Sequence, residues 1–183
     1  MRASLRLFTY LKGIDLQCMS ASHAIERFLH YPYLKKLSRF ILWHIHYENV
    51  SRHEALESLK GILEKSIVLV NPNKEGYYFD CLPPKRIDLN HNLVLIKVSQ
   101  NEAFLDPHIE RFLISGNNRI SKIEQALLWE LIVTKPEGKD IADVEKELKE
   151  QVILTTSRQK GILVHPISES FDILPIQDYY SKT

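Results

Sequence analysis

The chain is poor in the residues that staple, hinge or cradle. Of its 183 residues two are cysteine, Cys18 and Cys81, and two are methionine; glycine occurs six times and tryptophan twice. Two cysteines cannot build a disulfide scaffold, and they fit a reducing, cytoplasmic setting with free thiols. The scattered glycines form no phosphate-binding loop. No apolar run reaches the roughly 20 residues of a membrane-spanning helix, and Lys12 breaks the opening apolar stretch too early for a secretory leader. An excess of charge is missing too. Twenty-four Lys and Arg against 23 Asp and Glu leave a net charge of +1, with no overall footprint for duplex nucleic acid or an anionic bilayer. The composition that remains is ordinary and globular, 44% hydrophobic and 26% charged, enough for one mid-sized core or two small ones. The expectation is a cytoplasmic protein that engages no membrane and is poorly suited to nucleic acid.

What is present is repetition. Ile25-Glu26-Arg27-Phe28-Leu29 recurs as Ile109-Glu110-Arg111-Phe112-Leu113. Leu42-Trp43 is matched by Leu128-Trp129, and Leu69-Val70-Asn71-Pro72 by Leu163-Val164-His165-Pro166. Glu75 falls opposite Glu169, Tyr77 opposite Phe171, and Leu82-Pro83 opposite Leu174-Pro175. The matches keep one order. They divide the chain into a first copy over 1–84, a proline-bearing polar linker over 85–91, a second copy over 92–177 and a tail over 178–183.

Each copy opens on a short strand, Leu5–Leu11 and Leu93–Val98. An amphipathic helix follows, with Ala24, Ile25, Phe28 and Leu29 on one face of the first and Ile109, Phe112 and Leu113 on one face of the second. The tryptophan segments read as strands: Ile41, Trp43, Ile45 and Tyr47 alternate with Phe40, Leu42, His44 and His46, and Leu127, Trp129, Leu131 and Val133 alternate with Leu128, Glu130 and Ile132. Ser51-Arg52-His53-Glu54 is a capping box. The helix it opens carries Ala55, Leu56, Leu59, Ile62 and Leu63, and the counterpart from Asp140 carries Ile141, Val144, Leu148 and Val152. Whether residues 67–70 and 162–164 finish these helices or form strands stays open, since proline requires only that the element end there. A last strand runs through Tyr77–Leu82 and Phe171–Leu174. The fold expected is α+β, with two tandem ferredoxin-like β-α-β-α-β repeats. Their open sheet faces, marked by Phe40, Leu42, Leu128 and Ile132, should pack face to face as a pseudo-two-fold dimer, because 85 residues alone form a marginal core.

Asn71-Pro72-Asn73-Lys74-Glu75-Gly76-Tyr77 has the form Asn-Pro-x-x-Glu-x-Tyr, and the second copy keeps it as His165-Pro166-Ile167-Ser168-Glu169-Ser170-Phe171. This resembles the closing motif of the PurS subunit of formylglycinamidine ribonucleotide synthetase, an enzyme of purine biosynthesis. Leu105-Asp106-Pro107 is similar to the family's turn before its first helix. Copy one departs there, with Leu16-Gln17-Cys18, and neither copy shows the family's Gly-Lys in the second strand. The resemblance implies a non-catalytic subunit, two fused copies standing for a dimer. It would bridge a glutaminase subunit and an ATP-dependent synthetase subunit, with room for further self-association. It also implies that the chain binds no cofactor, ATP and magnesium belonging to the synthetase. Asn71, Pro72, Glu75, Tyr77, Asp106, Pro107, His165, Pro166, Glu169 and Phe171 are the partner-interface residues it marks.

The residues themselves supply no catalytic set. His44 and His46 share a strand face and His53 is near in sequence, but Glu130 and Ile132 replace the first two in copy two and no Cys or Asp completes a ligand set. They read as exposed or half-covered sheet residues, and no metal is assigned. No helix N-terminus or neighbouring cation in the sequence marks Cys81 as a nucleophile. The other class of function is a tandem ferredoxin-like module binding RNA, a small ligand or another protein. RNA would need aromatic side chains on the open sheet face, whereas Trp43 and Trp129 are expected under the helices.

Overall fold

The two tryptophan segments are strands, the longest in the protein, and they lie side by side. The computed structural model describes residues 1–100, 107–116, 119–136, 138–157 and 159–180. In chain order its elements are β1 (Arg2–Leu11), α1 (Leu16–Arg27), β2 (Leu34–Glu48), α2 (Arg52–Lys65), β3 (Glu75–Phe79), β4 (His91–Gln100), α3 (Pro107–Gly116), β5 (Ile120–Thr134), α4 (Ile141–Leu148) and β6 (Glu169–Leu174). A π-helical turn, Lys149–Ile153, extends α4. The strands form one antiparallel sheet in the order β3-β1-β2-β5-β4-β6.

Face-to-face packing of two sheets is therefore not what this chain does. β2 and β5, 15 residues each, pair edge to edge from Leu34–Val133 to Tyr47–Ile120. Pairing along that length satisfies the backbone groups that two separate three-stranded sheets would leave on bare edges. Only β3 and β6, of five and six residues, remain outermost. Short edge strands are poor templates for unwanted pairing.

Alternation then sorts the side chains. One core gathers Ile25 of α1 and Leu37 with Val94, Ile96, Trp129, Leu131, Val144 and Leu148. Another gathers Leu113 of α3 with Leu5, Leu7, Trp43, Ile45, Ala55 and Leu59. The first helix of each chain half thus shares a core with strands of the other half. The opposite sheet face carries a smaller cluster of Phe8, Phe40, Leu42, Leu95 and Leu128, joined by Leu82 after β3 and by Tyr179 and Tyr180 near the C-terminus.

The helices begin where their caps stand. The Ser51 hydroxyl accepts from the Glu54 N–H and the Glu54 carboxylate accepts from the Ser51 N–H; Asp140 and Asp143 do the same for α4. Asp15 caps α1, accepting from the Cys18 N–H at 3.0 Å. Since α1 starts at Leu16 and α3 at Pro107, Ile14-Asp15 occupies the place the sequence reading gave to Leu16-Gln17. The Ile-Glu-Arg-Phe-Leu match is likewise out of step. Ile25 sits near the end of α1 and is fully buried, whereas Ile109 sits in the first turn of α3, where Leu113 is the buried residue. Phe28 and Phe112, expected on buried faces, are 71% and 54% exposed. α1 ends at Arg27, and His30 turns the chain with φ 51°. In α4 and its π-helical extension the expected stripe holds for Val144, Leu148 and Val152, but Ile141 is exposed. Residues 67–70 form neither helix nor strand, while Val164 makes a lone bridge to Leu154.

Leu128 is completely buried, so Leu128→Ala should lower the unfolding free energy by about 3 kcal/mol. Ser51→Ala, which removes only a cap, should cost about 1 kcal/mol. Urea titration followed by tryptophan fluorescence ranks the two.

Candidate functional site

The proline-containing turns close in the same way in both halves. The Glu75 carboxylate accepts from the Asn71 N–H at 2.7 Å, and the Asn71 carbonyl accepts from the Glu75 N–H at 2.7 Å. The Glu169 carboxylate accepts from the His165 N–H at 2.7 Å, and the His165 carbonyl accepts from the Glu169 N–H at 2.9 Å. The proline sets the first φ of the turn, and the glutamate ties off the N–H just before it. The Asn71 side chain also accepts from the Asn73 N–H at 3.1 Å, while the Lys12 ammonium donates to the Pro72 carbonyl at 2.8 Å. His165 Nδ1 instead lies 3.3 Å from the Ser168 hydroxyl.

Because β3 and β6 are the outermost strands, these turns stand at opposite edges of the sheet with four strands between them. Asn71, Pro72, Glu75 and Tyr77 form one group, and His165, Pro166, Glu169 and Phe171 the other. Tyr77 is 42% exposed and packs edge-on against Phe79. Phe171 lies under the Lys149 ammonium at 5.8 Å. Pro107 is the exposed first residue of α3; Asp106 lies outside the described residues. The eight turn residues make two separate surfaces rather than one pocket.

The open face of the sheet holds what the sequence reading missed. Among the described residues Glu130 is the only charged side chain in the buried set. The Lys85 ammonium and the Tyr180 hydroxyl both donate to its carboxylate. Burial first, then this contact, pushes the Tyr180 hydroxyl above its ordinary range. A glutamate inside Leu127-Leu128-Trp129-Glu130-Leu131-Ile132-Val133 is a visible anomaly. Its partners, 45 and 50 residues away, carry no local signal. Nearby, Arg39 donates to Asp15 at 2.8 Å, the carboxylate that also caps α1. A cavity of about 410 Å³ between these pairs is lined by Tyr10, Lys36, Arg39, Tyr78, Lys85 and Glu130. Both acids are already matched to a cation, an arrangement suited to holding segments in place.

Farther along the same face, His44 is the direct cross-strand partner of Glu124, and His46 is two residues on. Burial, then the neighbouring His46, holds the His44 imidazole below its usual pKa. His53 is on α2, on the helix side, and does not join them. No helix among the described residues is long and apolar enough to cross a membrane. The chain matches no protein-family model, no curated protein and no solved structure.

Lys85→Ala should lower stability by about 3 kcal/mol, because it leaves the Glu130 carboxylate buried without its cation; chemical denaturation measures this, and a loss under 1 kcal/mol would mean the pair is not closed in solution. The Cys18 thiol donates to the Leu37 carbonyl at 3.2 Å, and its pKa is raised by burial and by Asp15. Iodoacetamide at pH 8 should therefore label Cys18 more slowly than a free peptide thiol, as read by mass spectrometry.

Proposed function

We propose that this chain is the non-catalytic bridging subunit of a formylglycinamidine ribonucleotide synthetase, a PurS-like pair fused into one polypeptide. Its role would be to hold a glutaminase subunit and an ATP-dependent synthetase subunit together in purine biosynthesis. ATP and magnesium would sit in the synthetase. The proposal rests on the likeness of the Asn-Pro-x-x-Glu-x-Tyr segment and its second form to the PurS closing motif.

The structural observation that supports a fused pair is the β2–β5 register. Ile41 faces Leu127, the residue it matches in the sequence repeat. Trp43 faces Gln125 on one side of that point and Trp129 faces Arg39 on the other, at equal distance along the strands. Two related halves meeting across an approximate diad give this pattern. Their tryptophans agree with it, being 5% and 6% exposed with the indole N–H of each buried and unpartnered. The reciprocal placing of α1 and α3 in each other's cores agrees as well. Joined this way, the halves present the same carboxylate-closed turn at two opposite edges, two like surfaces on which two larger proteins could dock. A base-stacking role for the tryptophans finds no support, since both lie in the helix-side cores.

Affinity purification of the tagged chain from its native host, followed by mass spectrometry, tests the proposal. Glutaminase and synthetase subunits should co-elute in stable proportion. Recovery of the chain with an unrelated partner set, or with neither subunit, would retire it.

A further inference from the structure

We propose that His44, His46 and Glu124 form a binding site for a divalent transition-metal ion, zinc foremost, clamped across the central β2–β5 junction. The argument is independent of the bridging role.

The three side chains arise from strict alternation on two long paired strands. His44 and His46, at i and i+2 on β2, point to the same face, and Glu124 stands directly across from His44 on β5. His46 Nε2 is 3.3 Å and His44 Nδ1 is 3.7 Å from the same carboxylate oxygen, Oε2 of Glu124. One donor atom from each of the three residues lies within 4.8 Å of the others. Ligand bonds of about 2.0–2.1 Å in a tetrahedral zinc site place neighbouring donors roughly 3.4 Å apart. The site is thus close to the required spacing before any ion enters.

Surrounding contacts select which atom of each ligand is free. The far ring nitrogen of His44, Nε2, is engaged by the Ser4 hydroxyl, which leaves Nδ1 for the site. The Lys122 ammonium holds the other Glu124 oxygen, Oε1, at 2.6 Å and leaves Oε2 turned toward the imidazoles. Arg6 neighbours His44 on β1, and its guanidinium lies 4.6 Å from the Tyr179 ring centroid, occupied there. All three ligands are partly exposed, their side chains between 33% and 47% accessible, so an ion can enter from solvent. Two imidazole nitrogens and one carboxylate oxygen suit zinc and its neighbours rather than magnesium or calcium, which favour all-oxygen sets. The fourth position is left for water. Bound there, the ion would tie the two strands on which the whole sheet depends.

Calorimetric titration of the tag-free full chain with zinc chloride near neutral pH provides the test. One ion per chain should bind saturably, and magnesium should not compete. His46→Ala and Glu124→Gln should each weaken binding by about tenfold or more, whereas His53→Ala should leave it unchanged. Near-ultraviolet circular dichroism of the tryptophans checks that each variant is folded, and Glu124→Gln keeps shape and size if His46→Ala does not fold. Cobalt(II) in place of zinc should give the intense visible bands of four-coordinate geometry. Absence of saturable zinc binding, or zinc binding that survives both ligand substitutions, would overturn the site.

Discussion

Everything in this protein depends on the antiparallel pairing of β2 with β5. It turns two three-stranded arrangements into one sheet, and it does so at the centre, where both strands are long and apolar on the helix side. Backbone hydrogen bonds buried in the middle of a sheet are kept away from water, and the side chains above them are held in register by alternation. A slip of one residue in β2 would carry Trp43 to the open face and His44 and His46 into the core. The register is therefore strongly specified, and whatever the two faces do follows from it.

The two faces solve different problems. On one side the helices cover the sheet, each half lending its first helix to the other half's core. On the other side no α-helix among the described residues covers the sheet, and chain segments do the covering. Leu82 and Lys85 arrive from the connection between β3 and β4, and Tyr179 and Tyr180 from the C-terminal segment. Glu130 fastens both by accepting from Lys85 and Tyr180. A buried carboxylate is a weak source of net stability, but once its partners are in place, losing one is expensive. That asymmetry makes it an effective latch for two otherwise irregular segments.

The turn motif shows how a family-like signal and a structural need can coincide in the same residues. Glu75 and Glu169 were legible in the sequence as a repeated pair, and both close the turn that leads into an edge strand. Part of their repetition is thus explained by folding alone. The exposed ring of Tyr77 and the exposed face of each proline turn do not serve that closure, and they are the parts available to a partner. The histidine cluster was half legible. His44 and His46 were visible as an i, i+2 pair, but Glu124 is 78 residues from His46 and belongs to a strand whose neighbour no local pattern names.

The sequence by itself determined the elements. Alternation marked the tryptophan strands, a capping box marked the start of α2, helical spacing from Asp140 marked α4, and prolines marked where segments had to stop, because each of these signals acts over a few residues. It also carried the repetition, though the most conspicuous match, Ile25–Leu29 with Ile109–Leu113, proved out of step in the helices. Only the tertiary structure decided how the halves join, edge to edge rather than face to face, and which helix covers which strands. It alone brought Lys85 and Tyr180 to Glu130, and Glu124 to the histidines. Such contacts are set by strand register and by the competition of all apolar faces for cover, quantities that exist only once the whole chain has collapsed together.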